Sequence, residues 1–208
     1  MLAEHVLMLL YHPVTGRPLV SSSKADLALG GALLVELAGR RRIDLKEPHW
    51  LTRNRTVVVV DRTPTGDDVL DEALRRVSAQ RSARAHVVVS RIAKGVRGWL
   101  LKRLAGQGIL KSEQRKLVGV IPADAWPAVD VQRAEEHRRG LRQVLAQQRP
   151  PTRQEAAVIS LLHTVGATVK ALDGAGLERR GLKQRARTIA KADAAAAIVN
   201  QALKAAAF

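Results

Sequence analysis

Histidines and paired carboxylates are the side chains that could carry acid–base or metal chemistry in this 208-residue chain. The six histidines form no HExxH motif and no other paired metal-ligand spacing; they stand at positions 5, 12, 49, 86, 137 and 163. The three adjacent acidic pairs fit helix capping or solvation better than catalysis, because neighbouring side chains on a helix point in different directions; they are Asp67 with Asp68, Asp71 with Glu72, and Glu135 with Glu136. No P-loop, GxSxG motif or dinucleotide fingerprint occurs. We therefore expect a protein that is not an enzyme and that uses no metal or other cofactor.

Basic side chains are the second chemically informative group. Lys and Arg number 35 against 19 Asp and Glu, which gives a formal net charge of +16. Such an excess predicts a polyanionic partner, either nucleic acid or an anionic membrane face. With 46% apolar residues the chain should fold, and its 2% aromatic residues offer few stacking platforms for single-stranded bases. The absence of cysteine excludes disulfides and thiolate chemistry.

The elements that must position these charges are mostly helices. Length and composition predict a mainly α protein, a single globular helical domain over residues 1–208 with two short β-hairpins. Helices are predicted at about 3–11, 23–39, 69–77, 94–105, 128–147, 156–165, 177–191 and 193–206. The strands of the two hairpins are predicted at 42–46 with 56–61, and at 109–110 with 116–121, and residues 79–86 are predicted as a loop. The apolar N-terminus is too short to span a bilayer and lacks signal-peptide features, which predicts a core helix.

Three predicted helix starts have the spacing of a capping box, in which an N-terminal Ser or Thr and a residue three positions later satisfy free backbone N–H groups. They are Ser23 with Asp26, Thr65 with Asp68, and Thr152 with Glu155. Each predicts the start of a helix, and the boxes at Thr65 and Thr152 lead into the helices predicted at 69–77 and 156–165.

Five segments together resemble the Golgi phosphoprotein 3 family. They are residues 4–10 (EHVLMLL), 31–38 (GALLVELA), 42–45 (RIDL), 64–74 (PTGDDVLDEAL) and 96–110 (VRGWLLKRLAGQGIL). The resemblance implies a mostly helical single domain, not an enzyme, that binds phosphatidylinositol 4-phosphate on a cytosolic membrane face and inserts an apolar β-hairpin into the lipid. It also implies an adaptor that holds the cytosolic tails of membrane enzymes. High Ala and Arg usage is typical of a GC-rich bacterial genome, so the resemblance is to a bacterial-type member.

The resemblance also implies a lipid pocket. Family members that bind the phosphorylated headgroup use a Trp and an Arg before and within the second helix, and two basic residues three apart on the central helix. Lys94 and Arg97 fall at the central-helix positions, where a spacing of three places both cations on one face, able to contact one phosphate. The Trp position falls near Ser21 and the Arg position falls at Gly30, so neither is matched. The cations expected to substitute for them are Arg17 and Lys24.

The second predicted hairpin is the candidate for membrane insertion. The residues expected to enter the lipid are Leu117, Val118, Val120 and Ile121. Trp126 follows them, and an indole suits the boundary between headgroups and acyl chains. The alternative is that these apolar residues pack under the helices.

Two classes of function remain open at this point. The favoured prediction is a cytoplasmic protein, peripherally associated with the cytosolic face of a membrane, that binds a phosphoinositide. The alternative is a winged-helix DNA-binding protein, because a helix followed by a hairpin with basic residues is also the pattern of that fold. Against this alternative, Trp99 and the apolar stripe beside it occupy much of the helix that would read the bases.

Overall fold

The computed structural model describes residues 1–46, 55–79, 82–117, 121–173 and 178–205. Its helices are α1 (Leu2–Leu9), α2 (Ser22–Gly39), α3 (Asp68–Ser78), α4 (Ala85–Ile92), α5 (Val96–Gly106), α6 (Val131–Leu145), α7 (Arg153–Thr164), α8 (Thr168–Leu172), α9 (Arg179–Lys191) and α10 (Ala194–Ala205). Its strands are β1 (Ile43–Lys46), β2 (Thr56–Val59), β3 (Ser82–Arg84), β4 (Glu113–Leu117) and β5 (Ile121–Ala125). The described part of the chain is therefore mainly α, with two small antiparallel sheets, as the sequence predicts.

Helix α2 is the centre of the core, and α1, α4, α7 and α10 pack around it. It is apolar on nearly every side, as expected for a buried helix. Two glycines let its neighbours approach closely. A Cβ at Gly30 would lie 2.6 Å from the carbonyl oxygen of Val89, and a Cβ at Gly31 would lie 2.5 Å from a methyl carbon of Val199. Both positions are therefore restricted to a residue without a side chain.

The first sheet has three strands in the order β1-β2-β3, all antiparallel. The predicted hairpin of β1 and β2 is confirmed, with Ile43 opposite Val59. The predicted loop at 79–86 is wrong in part, because β3 adds to β2 through Ala83 opposite Val57. The sequence analysis also missed α4. Its three consecutive valines favour strand by propensity, but burial of Val88 and Val89 against α2 and α10 stabilises a helix there.

The second hairpin forms, but with strands different from those predicted. Leu117 pairs with Ile121, so the chain reverses inside the run 116–121 that was predicted as one strand. The continuous apolar run 117–121 favoured a single strand, and the β4 residues that precede it are polar, with Glu113, Gln114, Arg115 and Lys116 paired to Ala125, Asp124, Ala123 and Pro122. Among the described elements, β4 and β5 contact chiefly each other.

The helix starts test the three predicted capping boxes. The box of Thr152 and Glu155 at α7 is confirmed, with both reciprocal hydrogen bonds present. The prediction for Ser23 is wrong, because α2 begins at Ser22 without a side-chain cap. The prediction for Thr65 is wrong as well. The N-cap of α3 is Asp67, whose carboxylate accepts from two backbone N–H groups.

Helices α1 and α2 lie antiparallel. Leu2 N donates to Glu36 Oε2 at 2.8 Å, and Leu19 N donates to the carbonyl oxygen of Leu10 at 2.8 Å. The end of α1, the connecting loop and the start of α2 therefore lie at one end of the helical body, which we call the loop end (residues 10–24). The opposite end, where α2 leads into β1 and β2, is the strand end (residues 40–46 and 56–62). The 18 residues of α2 separate the two ends by about 27 Å, at a rise of 1.5 Å per residue.

Two further helices reach the loop end. Helix α5 begins there, because Arg97 contacts Asp26 in the second turn of α2. Helix α8 reaches it through Lys170, whose Nζ donates to the carbonyl oxygen of Leu19 at 3.0 Å.

The base of the second hairpin is fastened to the same loop. A backbone bridge between Leu110 and Ala128 closes the base. Trp126 N donates to the carbonyl oxygen of Gly16 at 2.9 Å, and Ala128 N donates to that of Pro13 at 2.8 Å. The loop end thus joins the hairpin to α1, α2, α5 and α8.

Candidate anion-binding site

Arg97 is the best-anchored cation of the predicted pocket. Its Nε donates to Asp26 Oδ1 at 2.9 Å, and its Nη1 lies 3.5 Å from the Tyr11 hydroxyl. The side chain is 31% exposed, so the guanidinium is held in place and still reachable from solvent. Burial works against its charged form, but the bonds to Tyr11 and Asp26 outweigh burial and raise the pKa of Arg97 above its ordinary value. Arg97 is therefore a fixed, permanent positive charge.

Lys94 lies elsewhere than the sequence predicts. Helix α5 begins at Val96, and Lys94 lies in the turn between α4 and α5. Lys94 and Arg97 therefore do not share a helix face, contrary to the prediction from their spacing of three. The turn includes Gly95 at φ +76°, in the left-handed region. Lys94 is exposed, and its ammonium group has no acidic partner within the described residues.

Arg76 of α3 holds the turn that carries Lys94. Its Nη1 donates to the carbonyl oxygen of Lys94 at 2.6 Å and to that of Ile92 at 3.3 Å. These carbonyls are at the end of α4, where basic side chains commonly satisfy free acceptors. Arg76 Nε in turn donates to Glu72 Oε1 at 2.7 Å. Hydrogen bonds from Arg75 and Arg76 lower the pKa of Glu72 to about 2, so this support stays ionised at neutral pH.

Arg17 and Lys24 both belong to the loop end, where the sequence analysis placed substitute cations. Arg17 ends a tight turn in which His12 N donates to its carbonyl oxygen at 2.9 Å. Lys24 lies in the first turn of α2, which holds no acidic residue. Both side chains are exposed, and neither has an acidic partner in the part of the chain that is described. Unpaired cations at a helix start combine with the positive end of its dipole to favour anions.

The two unmatched family positions differ in kind. Ser21 is the exposed N-cap residue of α2, and its Oγ lies 3.3 Å from that of Ser23. Gly30 is buried against α4, where even a Cβ would lie 2.6 Å from the carbonyl oxygen of Val89. An arginine could not occupy position 30 without moving α4. The absence of that cation is therefore built into the packing of the helices.

The predicted insertion residues lie around the end of the second hairpin. Leu117 and Ile121 form the last pair of the β4–β5 ladder, and only their backbone is described. Val118 and Val120 lie outside the described residues. Trp126 is partly buried and packs against the core at the base of the hairpin, so it lies away from Leu117 and Ile121.

Sequence reasoning missed the residues that hold the cations in place. The spacing of Asp26 from Ser23 fits a helix cap, which disguised its contact with a residue 71 positions later. Tyr11 is only 4% exposed and carried no signal beyond being aromatic. Arg76 was an ordinary helix cation in the sequence. Contacts over such separations leave no local pattern.

In the described ranges, no group of three or more His, Asp or Glu side chains is placed to hold a metal ion. None of the helices there is long and apolar enough to cross a bilayer.

Comparison with known proteins identifies a family. A family model described as Golgi phosphoprotein 3 (GPP34) matches residues 2–206. No curated protein matches the chain.

Proposed function

Because the chain belongs to the Golgi phosphoprotein 3 family, we propose that it is a peripheral membrane protein whose loop end binds anionic phospholipid headgroups. The specific ligand we propose is phosphatidylinositol 4-phosphate or a related phosphoinositide, on the cytosolic face of a membrane. The protein acts by binding and catalyses no reaction. Cytosolic tails of membrane enzymes are proposed partners, since the family resemblance implies them.

The observation that carries the proposal is the set of cations at the loop end. Arg97 is anchored, and Arg17, Lys24 and Lys94 are exposed without an acidic partner among the described residues. Each basic residue near an anionic surface contributes about 1 kcal/mol. The three cations without an acidic partner would supply about 3 kcal/mol, which supports reversible binding and leaves stable anchoring to a second contact.

The second hairpin is proposed as that second contact. Its base is fastened to the loop at Gly16 and Pro13, beside the cations, and its strands contact chiefly each other. An apolar hairpin end next to a basic patch would let headgroup binding and insertion reinforce each other. Leu117, Val118, Val120 and Ile121 are the residues we propose to insert.

Flotation with vesicles of matched charge tests the proposal. The vesicles would contain phosphatidylcholine with phosphatidylinositol 4-phosphate, phosphatidylinositol or phosphatidylserine. We expect binding to all anionic vesicles, and the tightest binding to those with phosphatidylinositol 4-phosphate. Equal binding at equal surface charge would contradict headgroup selection.

A charge-matched pair of variants tests the location of the site. Lys24→Gln with Lys94→Gln removes two exposed cations at the loop end and should weaken vesicle binding by about 2 kcal/mol, or roughly 30-fold. The control is Arg41→Gln with Arg62→Gln, which removes two exposed cations at the strand end that have no acidic partner in the described ranges. The control should change binding little, because the strand end lies beyond a Debye length of about 8 Å. Arg76 would be an unsuitable control, since it holds the turn of Lys94.

A titration with duplex DNA at the same salt concentration covers the alternative. Tighter binding to DNA than to any anionic vesicle would replace the membrane proposal by a DNA-binding one. Equal weakening by the loop-end and strand-end variants would leave net charge, without a site, as the cause of binding.

A further inference from the structure

We infer that the exposed face of α9 is a second phosphate-binding surface, which contacts headgroups of the same anionic bilayer as the loop end. The inference rests on the proposed membrane function and adds a contact that the family positions do not include. It starts from the cations of one helix face, which are Arg180, Lys183, Arg187 and Lys191.

These four cations form one continuous stripe. Their spacings of three, four and four residues place them on the same side of α9. At 1.5 Å per residue the stripe is about 16 Å long. All four side chains are exposed, and none has a hydrogen bond or an acidic partner within the described residues.

The stripe lines one wall of an open groove between α9 and the end of α7. The groove has a volume of about 720 Å³, and His163 of α7 and Gln184 of α9 also line it. Burial lowers the pKa of His163, and the positive charges of Arg187 and Lys183 lower it further. The groove therefore has a positive potential, and a neutral imidazole can donate to a phosphate oxygen there.

Helix α9 packs against the rest of the protein through its other side. The opposite side holds the helix in place, with Leu182 and Ala186 buried and Arg185 donating to the carbonyl oxygen of Leu145 at 2.7 Å. Like charges at these spacings repel and destabilise the free helix. A bound anion would remove that repulsion.

The acidic residues near α9 do not compensate the stripe. Asp173 lies 3.8 Å from Arg179, which is outside the groove. Glu178 is exposed at the N-cap position. Asp193 accepts from Ala196 N at 2.9 Å at the start of α10, and burial raises its pKa. The positive charge of the stripe is therefore not balanced by these acidic residues and is available to an anionic partner.

The position of α9 favours a bilayer as that partner. Helix α8 reaches the loop end through the contact of Lys170 with Leu19. Asp173 directly follows α8 and contacts Arg179, the first residue of α9. The stripe thus begins near the proposed membrane-binding end. Among the described residues that line the groove there is no Trp, Tyr or Phe, the side chains on which bases stack.

Substitution of two central cations of the stripe tests the inference. The variant Lys183→Gln with Arg187→Gln should bind vesicles of phosphatidylcholine and phosphatidylserine at least tenfold more weakly than the unchanged protein. Its melting temperature should be unchanged or higher, because repulsion along α9 is relieved. The charge-preserving variant Lys183→Arg with Arg187→Lys should bind as the unchanged protein does. Arg41→Gln with Arg62→Gln is again the control.

The outcomes separate this inference from the proposed function. Normal vesicle binding by the Lys183 and Arg187 variant would overturn the inference and leave the loop-end proposal standing. Failure of the unchanged protein to bind any anionic vesicle would overturn both. A third outcome is that the protein binds duplex DNA at a salt concentration where it does not bind vesicles, and that the same two substitutions abolish DNA binding. This outcome would assign the stripe to nucleic acid and overturn the inference.

Discussion

Asp26 determines how available Arg97 is to a ligand. Its carboxylate holds the guanidinium in place at 2.9 Å. The same carboxylate competes with any phosphate for that guanidinium and subtracts one charge from the loop end. The ion pair of Arg97 with Asp26 is partly exposed, and such pairs contribute little to stability. For the affinity of an anionic ligand, removing the competing carboxylate therefore matters more than losing this ion pair.

Removing that charge should therefore strengthen binding. We expect Asp26→Asn to increase affinity for anionic vesicles about fivefold, which corresponds to about 1 kcal/mol for one charge near the surface. Asp44→Asn is the matched control, since Asp44 is also ion-paired, with Lys46, but lies at the strand end. Vesicle flotation at constant salt measures both. Weaker binding by Asp26→Asn would mean that the carboxylate positions Arg97 for the ligand.

Only part of the site could be predicted at the scale of single residues. Arg97 and Lys94 were identified through the resemblance, and the basic composition indicated an anionic partner. Their supports were hidden, because Arg97 meets Tyr11 across 86 residues and Arg76 meets the backbone of Lys94 across 18. The position of Gly30 showed a missing cation in the sequence, and only the packed structure shows why no cation fits there.

At the scale of elements, the decisive contact is that of the turn before α2 with the base of the second hairpin. Gly16 has φ +65°, where residues with a Cβ are strained. A Cβ at this position would also overlap the backbone nitrogens of Trp126 and Pro127. The glycine is required both for the turn and for the approach of the hairpin.

A pair of glycine substitutions tests this contact. Gly16→Ala should lower the free energy of unfolding by about 3 kcal/mol through strain and overlap, and should weaken vesicle binding. Gly98 lies on α5 with open space around it. Gly98→Ala should raise the free energy of unfolding by up to about 1 kcal/mol, because alanine favours the helix. Urea unfolding followed by circular dichroism measures both. Equal effects of the two substitutions would show that the hairpin base is not held at Gly16.

Elements with a strong apolar period could be predicted, and short or locally ambiguous ones could not. Helices α3 and α9 follow their periodicity closely. Strand β3 has three residues, too few for an alternation to show, and α4 forms from a valine run because its neighbours bury it. The second hairpin was misplaced because its reversal lies inside a continuous apolar run, which favoured a single strand there.

At the scale of the whole molecule, stability depends on histidines that are kept neutral. Burial lowers the pKa of His5, and the positive amino terminus and His137 lower it further. The carboxylates of Glu4 and Glu36 act in the opposite direction and are outweighed. Gln154 Nε2 lies 2.8 Å from His5 Nδ1, which favours a neutral ring that accepts this hydrogen bond.

Acidification should therefore destabilise the fold. Burial also lowers the pKa of His86 and His163, so all three histidines bind protons more weakly when folded than unfolded, where they titrate near 6.5. The stability that this difference provides is present above pH 6.5 and is lost as pH falls below it. Urea unfolding at pH 8, 7, 6 and 5 should show this decrease.

Two variants assign the decrease to its source. His5→Gln should reduce the slope of the free energy of unfolding against pH between pH 7 and 5. Glu72→Gln should change that slope little, because Glu72 is largely ionised in this range both when folded, with a pKa of about 2, and when unfolded, with an ordinary pKa of 4.5. A slope that His5→Gln does not alter would assign the effect to other groups.

The way the second hairpin is fastened also determines how mechanical load passes through the protein. Backbone hydrogen bonds join its base to Gly16 and Pro13, with no flexible tether between them. A pull on the far end of the hairpin is therefore transmitted directly to α1 and α2, the helices of the core. If the far end of the hairpin were embedded in a stiff medium, pulling it out would tilt the rest of the protein with it. The force needed to detach it should therefore depend on the direction in which the force is applied.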